Sequence, residues 1–259
     1  MASRARVIAC GETNVGMKRT HNEDNFCVKD EDHLYVVADG MGGHASGEVA
    51  SQMAIDTLQE FFQATNADPE ATWPYKMDKS RGYEENRLIT SIKLANLRIF
   101  ESAQKDPKMR GMGTTLVSML VVEDGVLIAH VGDSRAYRLR GDKFEQITED
   151  HSLLNDYIKM KRLTPEEIEN FPHKNVIVRA LGMKENVKVD TTLDKPQNGD
   201  IYVLCSDGLA GPASDEEIHE ITANTPDLKA ACSALIAKAN ANGGPDNITV
   251  VMAKVIGVG

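Results

Sequence analysis

The 259-residue chain has only four cysteines, one tryptophan and few aromatic residues of any kind. The cysteines, Cys10, Cys27, Cys205 and Cys232, form no Cys-x-x-Cys pair, which argues against a zinc site and against a disulfide framework. No apolar run approaches the roughly 18 residues of a membrane span, so no membrane partner is expected. The opening Met1-Ala-Ser-Arg-Ala-Arg is basic but lacks the apolar stretch of a secretory leader, and a cytoplasmic, reducing location follows. Positive charge is scarce as well. Lys and Arg number 29 against 39 Asp and Glu, a formal charge of −10. Nucleic acid is therefore not an expected partner, because its phosphate backbone is held by Lys and Arg. A phosphate group can still be handled where metal ions supply the positive charge. Low-complexity tracts, internal repeats and Ser- or Gly-rich linkers are also missing. A single domain over residues 1–259 is expected, with 41% hydrophobic and 26% charged residues as in ordinary globular proteins.

What is present is a succession of short apolar runs between helical stretches. Val7 to Cys10 and Leu34 to Ala38 read as strands. Val49, Met53, Leu58 and Phe61-Phe62 recur at helical spacing, and after a polar loop Leu88, Ile92, Ala95 and Ile99 share a second helical face. Thr115 to Val122 and Val126 to Val131 form a hairpin about Asp124-Gly125, and Ala136 to Leu139 and Phe144 to Ile147 form another. Residues 152–172 turn helical, with a capping-box spacing at Thr164-Pro165-Glu166-Glu167. Strands are expected at Val176 to Arg179, Val187 to Thr192 and Ile201 to Cys205. Helices open at Ser214 and at Thr225-Pro226, and Ile248 to Val255 closes the chain as a strand. The hairpins exclude an all-parallel sheet. Helix pairs on either side of a strand-rich middle suggest an α+β fold of two packed sheets with helices outside.

Four aspartates stand at the ends of these apolar strands. Asp39 follows Leu-Tyr-Val-Val-Ala, Asp133 follows Leu-Ile-Ala-His-Val-Gly, Asp207 follows Ile-Tyr-Val-Leu-Cys-Ser, and Asp246 precedes Asn247 and Ile-Thr-Val-Val. Each alone is also a common turn residue. The ends of buried strands can converge, and converging carboxylates would repel unless a hard cation lay among them. Mg²⁺ and Mn²⁺ prefer such oxygen ligands. Arg19, close before Glu23-Asp24, is either a solvated ion pair or a fork for phosphate oxygens. Asp133 either pairs with Arg135 within its own turn or joins the metal-binding acids.

In order, the chain carries Arg19-x-x-x-Glu23-Asp24, Ala38-Asp39-Gly40-Met-Gly-Gly-His44, Gly113-Thr114-Thr115, Val131-Gly132-Asp133-Ser134-Arg135, Ser206-Asp207-Gly208 and Asp246-Asn247. This order resembles the metal-dependent type 2C serine/threonine protein phosphatases in their compact bacterial form, from about Ala5 to Lys254. The resemblance implies a four-layer αββα sandwich of two mainly antiparallel sheets. It implies two Mn²⁺ or Mg²⁺ ions at one end, with a bridging hydroxide that attacks phosphoserine or phosphothreonine and so reverses kinase signalling. Asp39 would bridge both ions. Asp207 and Asp246 would complete the first site. Glu23 and the Gly40 carbonyl would serve the second, with Asp24 behind them. Arg19 would hold the substrate phosphate, and Asp133 with Asp207 would share a third, weakly bound ion. Phosphorylated proteins, targets of a serine/threonine kinase, are the implied partners, and a monomer is expected.

Two departures stand out. Animal-type members have a general-acid His directly after the Asp-Gly pair, where this chain has Met41. His44, three residues later, either protonates the leaving oxygen or caps the helix beginning near Ser46. Residues 150–182 match the variable flap, where Lys159, Lys161 and Arg162 form either a substrate-facing surface or a solvated helix face. Two other functions compete. An inactive relative would have no need of a full ligand set, and a phosphodiesterase or nuclease would need a basic stripe or an aromatic platform.

Overall fold

The computed structural model describes residues 4–42, 46–68, 70–161, 163–172 and 176–258. Eleven strands occur among them: β1 (Arg6–Asn14), β2 (Asp24–Lys29), β3 (Leu34–Met41), β4 (Gly113–Thr114), β5 (Leu116–Val122), β6 (Gly125–Val131), β7 (Arg135–Arg140), β8 (Lys143–Gln146), β9 (Asp190–Asp194), β10 (Ile201–Cys205) and β11 (Ile248–Gly257). They form two sheets with antiparallel pairing throughout. One runs β1-β11-β10-β7-β8, the other β2-β3-β5-β6-β9 with β4 on β3. The helices are α1 (Ser46–Ala67), α2 (Tyr83–Lys105), α3 (Leu153–Lys161), α4 (Pro165–Glu169), α5 (Asp207–Ala210), α6 (Asp215–Asn224) and α7 (Leu228–Ala241).

Alternation along each strand sorts side chains into three apolar layers. Leu34, Val36 and Ala38 of β3, with Leu116 and Leu120 of β5, pack against Leu58 and Phe62 of α1 and Ile92 and Ile99 of α2. The intervening residues Tyr35, Val37, Val117 and Met119 meet Tyr202, Leu204, Val251 and Ala253 of the other sheet. On that sheet's outer face Val203, Val250 and Met252 pack under Ile218 of α6 and Leu235 of α7. The result is the expected αββα sandwich. Because both faces of the central strands are covered, they read as unbroken apolar runs.

The helix starts follow local chemistry. At Ser214 and Glu217 a reciprocal capping box opens α6, and the box expected at Thr164 and Glu167 opens α4. The expected start of the last helix moves from Thr225-Pro226 to Asp227, whose side chain accepts from the Ala230 N–H at 2.8 Å. Three strand expectations change. β2 carries only Phe26, Cys27 and Val28 as apolar residues, and as an edge strand it pairs with β3 alone. The strand expected at Val176 to Arg179 is a single bridge, Ser152 to Ile177. The strand expected at Val187 to Thr192 lies later, at Asp190–Asp194, while Val187 and Val189 leave the sheet to pack beneath α1 and α2.

Candidate active site

The alternation that puts Tyr35 and Val37 between the sheets puts Asp39, at the end of β3, in the same space. Its backbone is pinned on both sides: Asp39 N–H donates to Thr115 Oγ1 at 3.2 Å, and its carbonyl accepts from Thr115 N–H and Thr114 Oγ1, both at 2.9 Å. Asp24 is its register partner on β2. The buried Asp24 carboxylate accepts from two hydroxyls of the opposite sheet side, Ser206 at 2.8 Å and Thr249 at 2.7 Å. Asp207 follows β10 and opens α5, and Asp246 immediately precedes Asn247 and β11. Asn247 ties the N-terminal segment down. Its amide donates to the Val15 and His21 carbonyls, and its Oδ1 accepts from Glu23 N–H at 2.8 Å.

Glu23 and Gly40 meet at the start of α1. The Glu23 carbonyl accepts from Gly40 N–H at 3.2 Å and from Ser51 Oγ at 2.6 Å. A Cβ on Gly40 would lie 2.2 Å from the Gly47 carbonyl oxygen and 2.4 Å from that of Glu23, so only glycine allows this approach. Gly132 has φ +113°, and a Cβ there would lie 2.7 Å from Thr115 Cβ. That conformation carries the chain directly into Asp133.

The electrostatics follow from crowding. Burial first, and then the charges of Asp24, Asp207, Asp133 and Asp246, hold the Asp39 carboxyl well above the ordinary carboxylate range. Burial raises Asp24 to about 6 against the pull of its two hydroxyl donors. Burial, then the charges of Asp207 and Asp150, raises Asp133 to about 7. Asp207 and Glu23 are raised too, mainly by burial. Asp133 Oδ1 is buried without a hydrogen-bond partner. Arg135 does not serve it: its guanidinium forks onto Asp150, with Nε at 3.1 Å from both oxygens and Nη2 at 2.8 Å from one. Of the two readings open for Asp133, the pair with Arg135 is the one the structure lacks. Asp133, Asp207 and Asp246 line a cavity of about 630 Å³, whose other walls include Ser152 and Asn155. A larger groove, about 730 Å³, lies between α1 and α2 and has none of these aspartates in its walls.

Arg19 is half exposed, and its Nη2 donates to Asp246 Oδ2 at 2.7 Å. The ion pair that the sequence allows therefore forms with Asp246 rather than with the adjacent Glu23-Asp24. His44, Arg162 and the side chain of Lys161 lie outside the described residues. Lys159 pairs with Glu149.

Divalent ions suit this donor set in chemistry: six carboxylates and a glycine carbonyl, with a buried carboxylate oxygen that nothing in the protein satisfies. Among the described residues, however, no three His, Cys, Asp or Glu side chains are drawn together closely enough to hold an ion without adjustment. Asp246 is turned onto Arg19, and Asp24 onto its two hydroxyls. The backbone is set, and within it the Asp39 and Asp207 side chains are hydrogen-bonded to each other.

Several supporting residues have roles that the sequence did not assign. Ser206 and Thr249 hold Asp24. Thr115 Oγ1 and Ser134 Oγ, 2.7 Å apart, link the Asp39 strand to the Asp133 turn. His151 Nδ1 accepts from Gly132 N–H at 3.0 Å, and Gly132 O accepts from His151 N–H at 2.9 Å. The His151 Nε2 edge faces Asp190 and Arg179. The serine and threonine positions were visible as motif neighbours of the aspartates. His151 had no such signal.

The raised carboxyls set a pH dependence. Between the unfolded value near 4 and the folded value near 7, native Asp133 binds a proton that unfolded Asp133 has lost, so its contribution to stability falls as pH rises through that window. Buried His130 and His151, whose values are lowered, act with the opposite sign below about pH 6.5. Comparing Asp133→Asn with wild type cancels the histidines. The Tm of the metal-free variant should gain on that of wild type progressively from about pH 4 to about pH 7 and hold a constant excess above that. A constant offset across pH would contradict the buried-charge reading.

Comparisons with known proteins agree with this architecture. The family model described as protein phosphatase 2C matches residues 17–246. The chain is 39% identical over 247 residues to the serine/threonine phosphatase stp of Listeria innocua, covering 93% of this chain and 92% of that protein. The crystal structure of the serine/threonine phosphatase Stp1 from Staphylococcus aureus superposes with a TM-score of 0.86 at 33% identity, over 99% of this chain and 98% of that one. The catalytic domain of the serine/threonine phosphatase PstP, solved with two manganese ions, superposes with a TM-score of 0.79 at 33% identity, over 98% and 100% of the two chains. With sheet order, carboxylate placement and near-complete coverage in accord, the chain belongs to the protein phosphatase 2C family.

Proposed function

We propose that this protein is a metal-dependent serine/threonine phosphatase that hydrolyses phosphoserine and phosphothreonine in proteins. The observation that carries this reading is the gathering of Asp24, Asp39, Asp133, Asp207 and Asp246 at one end of the sandwich, where the charges of the other four all raise Asp39. Asp39, Asp207 and Asp246 are the residues for one ion. Asp39, Glu23 and the Gly40 carbonyl are those for a second, with Asp24 held behind them by Ser206 and Thr249. Asp133 and Asp207 are those for a third, weaker one. Bound Mn²⁺ or Mg²⁺ ions supply an activated water and a positive field over the phosphoryl oxygens. The protein's own part is positioning. Thr115 fixes the Asp39 backbone, and Asn247 fixes the segment that carries Arg19 and Glu23. Arg19, half exposed and bonded to Asp246 through one nitrogen, is placed to transfer its fork to the substrate phosphate. Asp133 would serve the leaving-oxygen side through the weak ion it would hold with Asp207, which would supply a bound water there.

Phosphoproteins marked by a serine/threonine kinase are the proposed substrates, residues 150–182 form a flap beside the cavity within a single domain, and the protein works as a cytoplasmic monomer. No helix among the described residues is long and apolar enough to cross a membrane. The separating experiment is an assay with added Mn²⁺ on a phosphothreonine peptide beside a phosphodiester. Hydrolysis of the peptide alone is expected. Hydrolysis of the diester alone would overturn the reading.

Arg19→Ala should raise KM for phosphopeptides on the order of tenfold while changing kcat less, since a bond to phosphate already present in the ground state appears mainly in KM. Steady-state kinetics at saturating metal test this. A large fall in kcat at constant KM would place Arg19 on the transition state alone.

A further inference from the structure

Strand β1 and helix α7 meet along a seam on the outer face of the five-stranded sheet, away from the space between the sheets. Ser233 Oγ donates to Glu12 Oε2 at 2.6 Å, and Asn240 Nδ2 donates to Asn14 Oδ1 at 3.3 Å. Between these bonds and the start of the helix the seam holds two thiols. Cys10 Sγ and Cys232 Sγ stand 3.2 Å apart, although 222 positions separate them in the chain. Cys10 is partly exposed and Cys232 is buried.

The other two cysteines are placed differently. Cys27 lies in the apolar layer beneath α1 and accepts a hydrogen bond from Gln59. Cys205 is fully buried on β10. In register it lies two strands across from Cys10, and two residues along from the Val203 that stands level with it. At about 4.8 Å per strand, the two are separated by roughly 10 Å or more. Cys10 therefore has one thiol within reach. The hydrogen bond between the two thiols lowers Cys10 and raises Cys232, so the solvent-facing sulfur is the one that ionises first.

We propose that Cys10 and Cys232 are an oxidisable dithiol, a modification site at which a peroxide converts the pair into a disulfide joining β1 to α7. The Cys10 thiolate attacks one oxygen of hydrogen peroxide. An S–O bond forms, the O–O bond breaks, and the hydroxide that leaves takes up a proton as water. The Cys232 sulfur then attacks the Cys10 sulfenic acid. The S–S bond forms, the S–O bond breaks, and the second hydroxide leaves as water with the Cys232 proton. Two thiols lose two electrons and one peroxide becomes two waters. The sulfurs must close from 3.2 Å to a bonded length of about 2.0 Å, a movement within reach of side-chain rotation. The resulting bond ties the N-terminal strand to the C-terminal helix across most of the chain and constrains the unfolded ensemble strongly. The proposal does not depend on the phosphatase reading.

The test uses the full reduced chain with bound Mn²⁺. It is treated with a few equivalents of hydrogen peroxide, alkylated after unfolding, and mapped as peptides without reduction. The expected result is a mass loss of two hydrogens, one cross-linked pair containing Cys10 and Cys232, and alkylated Cys27 and Cys205. The oxidised protein should gain roughly 5 °C or more in Tm, reversed by dithiothreitol. Cys10→Ser should abolish both the mass loss and the gain, while its reduced form keeps the wild-type Tm. Cys232→Ser, a second variant, should leave Cys10 as a sulfenic acid that a dimedone probe captures. Four alkylated thiols after peroxide, a cross-link between any other pair, or a dimedone adduct on wild-type Cys10 with Cys232 free would each overturn the proposal.

Discussion

Replacing Asp39 by Asn is expected to abolish phosphopeptide turnover, by at least ~10²–10³-fold at saturating Mn²⁺, while the fold survives. Asp39 is the carboxylate on which the others act: Asp24, Asp207, Asp133 and Asp246 all raise it. Its backbone is held by Thr114 and Thr115 independently of the side chain's charge, so Asn can occupy the position without moving β3. Removing one charge from a crowded set relieves repulsion in the metal-free state, and the apoprotein should melt no lower than wild type and gain in Tm at neutral pH. Calorimetry with and without Mn²⁺ and steady-state kinetics check both halves. Near-wild-type turnover in the metal-saturated variant would remove Asp39 from the chemistry. Lost turnover with a collapsed fold would be uninformative about catalysis, and Asp39→Glu then serves as the second variant: it keeps the charge, and loss of Mn²⁺ affinity in a folded protein would still place the residue at the ions.

The second large effect is expected at Asp133. Asp133→Ala should keep phosphopeptide KM but lose kcat on the order of 10²-fold, and should lose much less on an aryl phosphate. An alkoxide leaving from serine or threonine needs a proton, whereas a phenolate does not. On the proposed role, Asp133 would hold a weak third ion with Asp207 whose water would supply this proton. Its Oδ1 is buried without a partner, it is raised to about 7, and it shares a cavity of about 630 Å³ with Asp207. The competing structural role is an ion pair or turn contact with Arg135; the guanidinium of Arg135 forks onto Asp150 and makes no bond to Asp133. Equal losses on both substrates, with a lowered Tm, would contradict the assignment.

How far the sequence discloses this molecule depends on which faces of each element are covered. β3, β5, β6, β10 and β11 are apolar on both sides because helices lie on one face and the second sheet on the other, and their positions are visible in the chain. β2 and β9 lie at the edges of their sheet, and their mixed composition carries no such run. Short apolar stretches mislead: Val176 to Arg179 has the composition of a strand, yet among the described residues its backbone hydrogen bonds go only to His151 and Leu153. At the site, the aspartates are legible because they terminate buried strands, three of them beside glycines that permit close approach. Their partners are not legible. Ser206 and Thr249 reach Asp24 from positions 182 and 225 residues away. Nothing in Gly132-Asp133-Ser134-Arg135 tells that Arg135 turns to Asp150, and nothing in Arg19 tells that it finds Asp246 rather than the acids beside it.

The most direct test of the central claim, that the converged carboxylates act through divalent ions, is a titration of exhaustively chelated protein with Mn²⁺. Bound metal and phosphothreonine-peptide hydrolysis are followed on the same sample. The account predicts no turnover at zero metal and a rise that saturates once the two principal sites per chain are filled, with protons released on binding near neutral pH because the crowded carboxyls give up theirs. Full turnover in protein whose metal content is confirmed as zero would contradict it.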